Sequence, residues 1–199
     1  MHDSGAIAET LREMMTQAGW RFTYNEAHRF FRFALTLRGV IRQAGCVIDV
    51  TDHGFTLSAV CPIGADPENR QIMTEAAEFV CRANAGLELG HFVLDCDSGE
   101  LRFRLQVLCS DTLPTEGMLY DSLSCTMSVL ERCGPGITAV LTGECSAGRA
   151  LDRCVLDGLS AAEMYRIAAA AFGFDEDDGA PAPEDIRTDP FAKKGGNAE

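Results

Sequence analysis

Between Leu101 and Leu108 every second residue is apolar (Leu101, Phe103, Leu105, Val107), and Arg102, Arg104 and Gln106 lie between them. Side chains alternate between the two faces of a β-strand, so this stretch is satisfied only by a strand with one buried side and one wet side. A sheet wetted on one face is characteristically antiparallel, because parallel sheets are covered on both. The alternation recurs in Phe31, Phe33, Leu35 and Leu37 against Arg32, Ala34, Thr36 and Arg38, and again in Phe55, Leu57, Ala59 and Cys61. The expected class is therefore α+β, an antiparallel sheet of about five to six strands with helices packed on it.

The remaining elements follow from periodicity and turn chemistry. Ile7, Leu11, Met14, Met15 and Ala18 share a helical face, with Asp3 or Ser4 as N-cap and Gly19 as stop. Trp20 to Tyr24 reads as a short strand, and Cys46 to Val50 turns through Asp52-His53-Gly54 into the Phe55 strand. Pro62 ends that segment, and Asp66-Pro67 offers an N-cap and a first-turn proline to a helix burying Ile72, Met73, Ala76, Phe79, Val80 and Ala83 and ending near Ala85-Gly86. Leu89 to Asp95 and Leu101 to Leu108 form a hairpin through Asp97-Ser98-Gly99. Thr115 caps a third helix through Met118, Leu119, Leu123, Thr126, Met127 and Leu130, which Gly134-Pro135-Gly136 is expected to interrupt before a continuation to Leu141. Three units are expected: an α+β domain at 1–145, a C-terminal helical extension at 146–174 whose Ala-rich helix opens at the capping box Ser160 to Glu163, and an acidic, disordered tail at 175–199.

Charge and composition remove whole classes of function. The net charge of −13, with a pI near 4.7, argues against nucleic acid and against anionic membrane, since both require clustered cations. Lysine occurs only at Lys193 and Lys194, so neither a Schiff-base lysine nor a Gly-Lys-Ser/Thr phosphate loop can be built in residues 1–192. The nine cysteines form no CxxC pair and no Cys/His cluster at metal-ligand spacing, and are expected to be reduced core residues. No cofactor or metal is expected. The polar, acid-bearing first 18 residues contain no continuous apolar run, which points to neither signal peptide nor membrane span and, with the reduced cysteines, to the cytoplasm.

Three motifs invite chemistry and are better explained otherwise. Gly143-Glu144-Cys145-Ser146-Ala147-Gly148 has its second glycine one residue too late for a nucleophile elbow. Asp95-Cys96-Asp97-Ser98-Gly99-Glu100 begins like a calcium loop but carries Gln106 at the twelfth position. Gly134-Pro135-Gly136 follows no strand, as a phosphate loop would. The run Asp175-Glu176-Asp177-Asp178 could bind a cation or a basic partner, but is expected to be a solvated tail. The outward arginines Arg32, Arg38, Arg102 and Arg104 are the candidate partner-binding residues, since guanidinium groups grip carboxylates bidentately.

The order α-β-β-β-β-α-β-β-α resembles the fold of type III secretion chaperones and of the related bacterial family of putative sensory transduction regulators, the YbjN type. Three segments carry the second resemblance: Phe79-Val80-Cys81-Arg82-Ala83-Asn84-Ala85, Gly90-His91-Phe92-Val93-Leu94-Asp95, and Ser98-Gly99-Glu100-Leu101-Arg102-Phe103-Arg104. The pattern is an Asn-ended helix, a Gly-Phe strand start, and an Asp/Gly turn into an alternating aromatic and basic strand, within a match over residues 5–145. The resemblance implies a non-catalytic cytosolic protein, often dimeric, with an exposed surface for a protein partner; it supplies no catalytic residues. The expected function is a protein-interaction module, chaperone-like or regulatory. The alternative is a small-ligand sensor with a pocket between helices and sheet, and a hydrolase using Cys145 or another thiol comes third.

Overall fold

The computed structural model of the chain describes residues 3–109 and 112–154. In chain order the elements are α1 (Ser4–Gln17), β1 (Thr23–Asn25), β2 (Phe30–Thr36), β3 (Gln43–Thr51), β4 (Gly54–Val60), α2 (Arg70–Ala85), β5 (His91–Leu94), β6 (Leu101–Leu108), α3 (Glu116–Leu141) and α4 (Ala147–Leu151). The six strands make one antiparallel sheet in the order β1-β2-β3-β4-β6-β5. The α+β class and the element order expected from periodicity are those of the molecule.

The sheet register shows how alternation builds the core. Tyr24, Phe31, Ile48, Leu57 and Leu105 lie opposite one another across five strands, and Phe33, Cys46, Ala59, Phe103 and Phe92 form the next row. Ile7, Leu11 and Met15 of α1 close over this face with Phe79 of α2 and Leu119, Leu123 and Leu130 of α3, all of them buried. Each large side chain so removed from water contributes about 1.5–3 kcal/mol. Among the described residues, no helix is long and apolar enough to cross a membrane.

Several local expectations are corrected. The first strand starts at Thr23 instead of Trp20, because Trp20 packs its ring 5.7 Å from Phe33 and Phe22 packs 5.7 Å from Phe31, so both serve the core. Helix α2 is capped by Asn69, whose Oδ1 accepts the N–H groups of Gln71 and Ile72, while Asp66 makes a separate turn by accepting the N–H of Glu68. Helix α3 runs unbroken through Pro135. Of the flanking glycines, Gly136 is there for packing: a Cβ on it would lie 2.3 Å from the carbonyl oxygen of Ala150, so α4 approaches closer than any other residue permits.

Helix α3 is buried on nearly every side between Ser122 and Leu130, four hydroxyls included. Three of these donate along the helix: Ser122 to Leu119, Ser124 to Tyr120 and Thr126 to Ser122, each at 2.8 Å, which lets polar residues sit in a core. Six of the nine cysteines are buried, as expected of core thiols, but Cys81 and Cys96 are exposed and Cys145 is half-buried. The helix expected from Ser160 and the tail at 175–199 lie outside the described residues. The start of the extension is described, and there α4 packs against α2 and α3 with Ala147 and Ala150 fully buried.

Candidate interaction face

Because the helices occupy one side of the sheet, the strand residues of opposite parity form a face that no element covers among the described residues. Register places Thr23, Arg32, Val47, Ser58, Arg104 and His91 in one row across all six strands. The row beside it holds Asn25, Phe30, Asp49, Thr56 and Gln106, and on the other side Ala34, Gly45, Val60, Arg102 and Val93 continue the surface. The middle is floored by small residues: Thr56 and Ser58 on β4 are buried between taller neighbours, while Arg32, Asp49 and Gln106 are exposed. Arg32 and Arg104 stand on opposite sides of this floor, about 14 Å apart by three strand spacings.

Charge distinguishes this face from the rest of the molecule. Its strands present Arg32, Arg102 and Arg104 outward against a single acid, Asp49, in a chain of net charge −13. The Arg32 guanidinium lies 4.7 Å above the Phe30 ring, and the His28 ring stacks on the same phenyl at 6.4 Å. A cation held over an aromatic face is partly ordered before any partner arrives. Arg102 pairs with Glu100 two residues back, which offsets its charge. Arg104 has no ion pair among the described residues and faces Ser58 on one side and His91 on the other. Arg38 does not join the group. It follows the end of β2, where its backbone N–H donates to Oε1 of Glu131 on α3 at 2.7 Å. The arginines the face unites come from β2 and β6, which are separated by β3 and β4 instead of adjoining.

The face also includes Phe30, His28 and Leu108, which sequence reasoning does not assign to it. Phe30 precedes the alternating run Phe31 to Leu37, and extending the period by one residue turns it outward. Leu108 likewise continues the parity of Arg102, Arg104 and Gln106, and is 62% exposed.

The other candidates resolve into structure. Asp95 closes the β5–β6 turn, its Oδ1 accepting the N–H groups of Asp97 and Ser98 at 2.9 and 3.0 Å. The Ser98 and Asp97 amides hold the Asp95 carboxyl below its ordinary range. Gly99 completes that turn at φ +72°, where a Cβ would meet the Ala65 carbonyl oxygen at 1.8 Å. Cys145 borders a cleft of about 410 Å³ between α2, α3 and α4, together with Asn69, Gln71, Ile72, Glu75, Val140, Thr142, Gly143 and Ser146; no histidine is among these. Glu75 accepts the N–H of Ala147 there at 2.7 Å, fixing the start of α4. No group of three or more His, Cys, Asp or Glu residues that could hold a metal occurs among the described residues.

One contact joins two of the three segments noted in the sequence. The Asn84 side chain accepts the N–H of Phe92 at 2.7 Å and donates to its carbonyl at 3.0 Å. A side-chain amide thus occupies the backbone positions that a seventh strand would use, and fastens α2 to the edge of the sheet. A family model described as YbjN, a putative bacterial sensory transduction regulator, matches residues 8–139. Among solved structures, the crystal structure of YbjN, a putative transcription regulator from E. coli, is similar at 15% identity and a TM-score of 0.45, over 66% of this chain and 89% of that one. No curated protein matches the sequence.

Proposed function

The chain belongs to the YbjN family of putative bacterial sensory transduction regulators, and from that premise we propose that it regulates by binding a protein partner on the open face of its sheet, without catalysis. The observation that supports this reading is the concentration of Arg32, Arg102 and Arg104 around a floor of small residues in an otherwise acidic molecule. The partner is an acidic segment: Arg32 and Arg104 take carboxylates at two points on either side of the small-residue floor, and Phe30 and Leu108 offer apolar contact beside them. A polyphosphate backbone is a poorer occupant, because three arginines release few counterions while the remaining surface repels a long polyanion.

The test is fluorescence anisotropy with a labelled acidic dodecapeptide containing one tyrosine, titrated with the full chain and with Arg32→Glu/Arg104→Glu. Reversing the charge of exposed Arg32 and half-buried Arg104 is expected to weaken binding at least about tenfold, and a thermal melt of the variant checks that the fold is intact. Equal affinity in the two proteins would overturn the proposal. A second reading, a small-ligand sensor, is favoured by the cleft beside Cys145. This cleft lies among helices instead of between helices and sheet. A ligand there would raise the thermal midpoint of the charge-reversed variant as much as that of the parent.

A further inference from the structure

Where α4 meets α3, two thiols are brought together by the same close approach that demands Gly136. A Cβ on Gly136 would lie 2.5 Å from Sγ of Cys154, so this sulfur rests directly on the α3 backbone. Sγ of Cys154 is 3.7 Å from the carbonyl oxygen of Cys133 and 3.5 Å from that of Ala150. The Cys154 sulfur thus lies against the turn of α3 that carries Cys133, and both residues are buried. Cys46, by contrast, turns its sulfur to its own strand at Ala44.

We propose that Cys133 and Cys154 are a redox-active dithiol that closes to an intramolecular disulfide, fastening α4 and the chain that follows it to α3. The oxidant is hydrogen peroxide. The Cys154 thiolate attacks one peroxide oxygen, the O–O bond breaks, and the hydroxide released takes a proton to become water. The sulfenic acid so formed is attacked by Cys133; the S–S bond forms, the S–O bond breaks, and the departing oxygen leaves as a second water carrying the Cys133 proton. Two thiols are oxidised and one peroxide is reduced. The roles follow from the pairing, because the Cys133 side chain holds Cys154 below the ordinary thiol value, while Cys154 and burial push Cys133 up. Neither the pair nor its chemistry depends on how the sheet face is used.

The experiment treats the full chain, with the exposed Cys81 and Cys96 replaced by serine, with stoichiometric hydrogen peroxide or with a phosphine reductant. Free thiols are then alkylated and the protein is digested. Trypsin cuts after Arg132 and Arg153, and a glutamate-specific protease cuts after Glu144, so Cys133, Cys145 and Cys154 leave in three different peptides. The expected result is a cross-linked peptide joining Cys133 to Cys154, two fewer alkylated thiols, and a thermal midpoint higher by roughly 5–10 °C that falls back on reduction. Cys154→Ser should abolish all three changes. A bridge from Cys133 to Cys61, sulfinic acid at Cys154 without a bridge, or unchanged thiols would each overturn the proposal. The peptide mapping is done with both Cys133 and Cys154 in place, so it decides between these outcomes even if Cys154→Ser fails to fold.

Discussion

Asn84 shows how much a single polar side chain decides in this fold. Its amide both accepts and donates at Phe92, so Asn84→Ala strips partners from two backbone groups at once and should cost about 1–3 kcal/mol in urea unfolding. Asn84→Asp keeps the acceptor but turns a carboxylate toward the Phe92 carbonyl, and is expected to be destabilising too. Acid sensitivity is set at the same scale. The Ser98 and Asp97 amides lower the folded-state value of Asp95, and the Ser4 hydroxyl and backbone N–H lower that of Asp52. A carboxyl lowered on folding adds stability that is complete above its unfolded value, near 3.8, and is lost as pH falls through the lowered one. The thermal midpoint should therefore decline between about pH 5 and about pH 2, and Asp95→Asn should flatten part of that decline.

At the scale of elements, α3 is the instructive case. Pro135 lies inside a helix that continues past it, lacking the N–H that an α-helix would direct to Glu131. Pro135→Ala should raise stability by about 1–3 kcal/mol in the same urea assay. Its neighbour behaves oppositely: glycine to alanine in a helix ordinarily stabilises, but Gly136→Ala places a methyl group against Ala150 and Cys154 and should lower the midpoint. The strands were legible because period-two alternation in Phe31 to Leu37 and Leu101 to Leu108 has one structural solution. The ends of elements were less so. Asp66 and Asn69 are both competent caps three residues apart, and only the place where α2 meets the sheet selects Asn69. The break expected at Pro135 comes from local propensity, which the packing of α4 on Gly136 overrides.

For the whole molecule, the outward arginines could be read from parity, but their grouping could not. Strand order is a nonlocal property: β6 inserts between β4 and β5, which puts Arg104 across from Ser58, while Arg38 stays outside the face because β2 ends at Thr36. Asp49 is the one acid among the outward strand residues, so Asp49→Asn should strengthen binding of the acidic peptide severalfold in the anisotropy titration, opposite to reversal of Arg32 and Arg104. The Asn84 clamp also reaches beyond stability. A sheet of six strands has two ends, and at β5 the outward N–H and carbonyl of Phe92 are already taken. A strand added there must forgo the two ladder bonds at Phe92, so the clamp that holds α2 also blunts this edge against growth into a fibre.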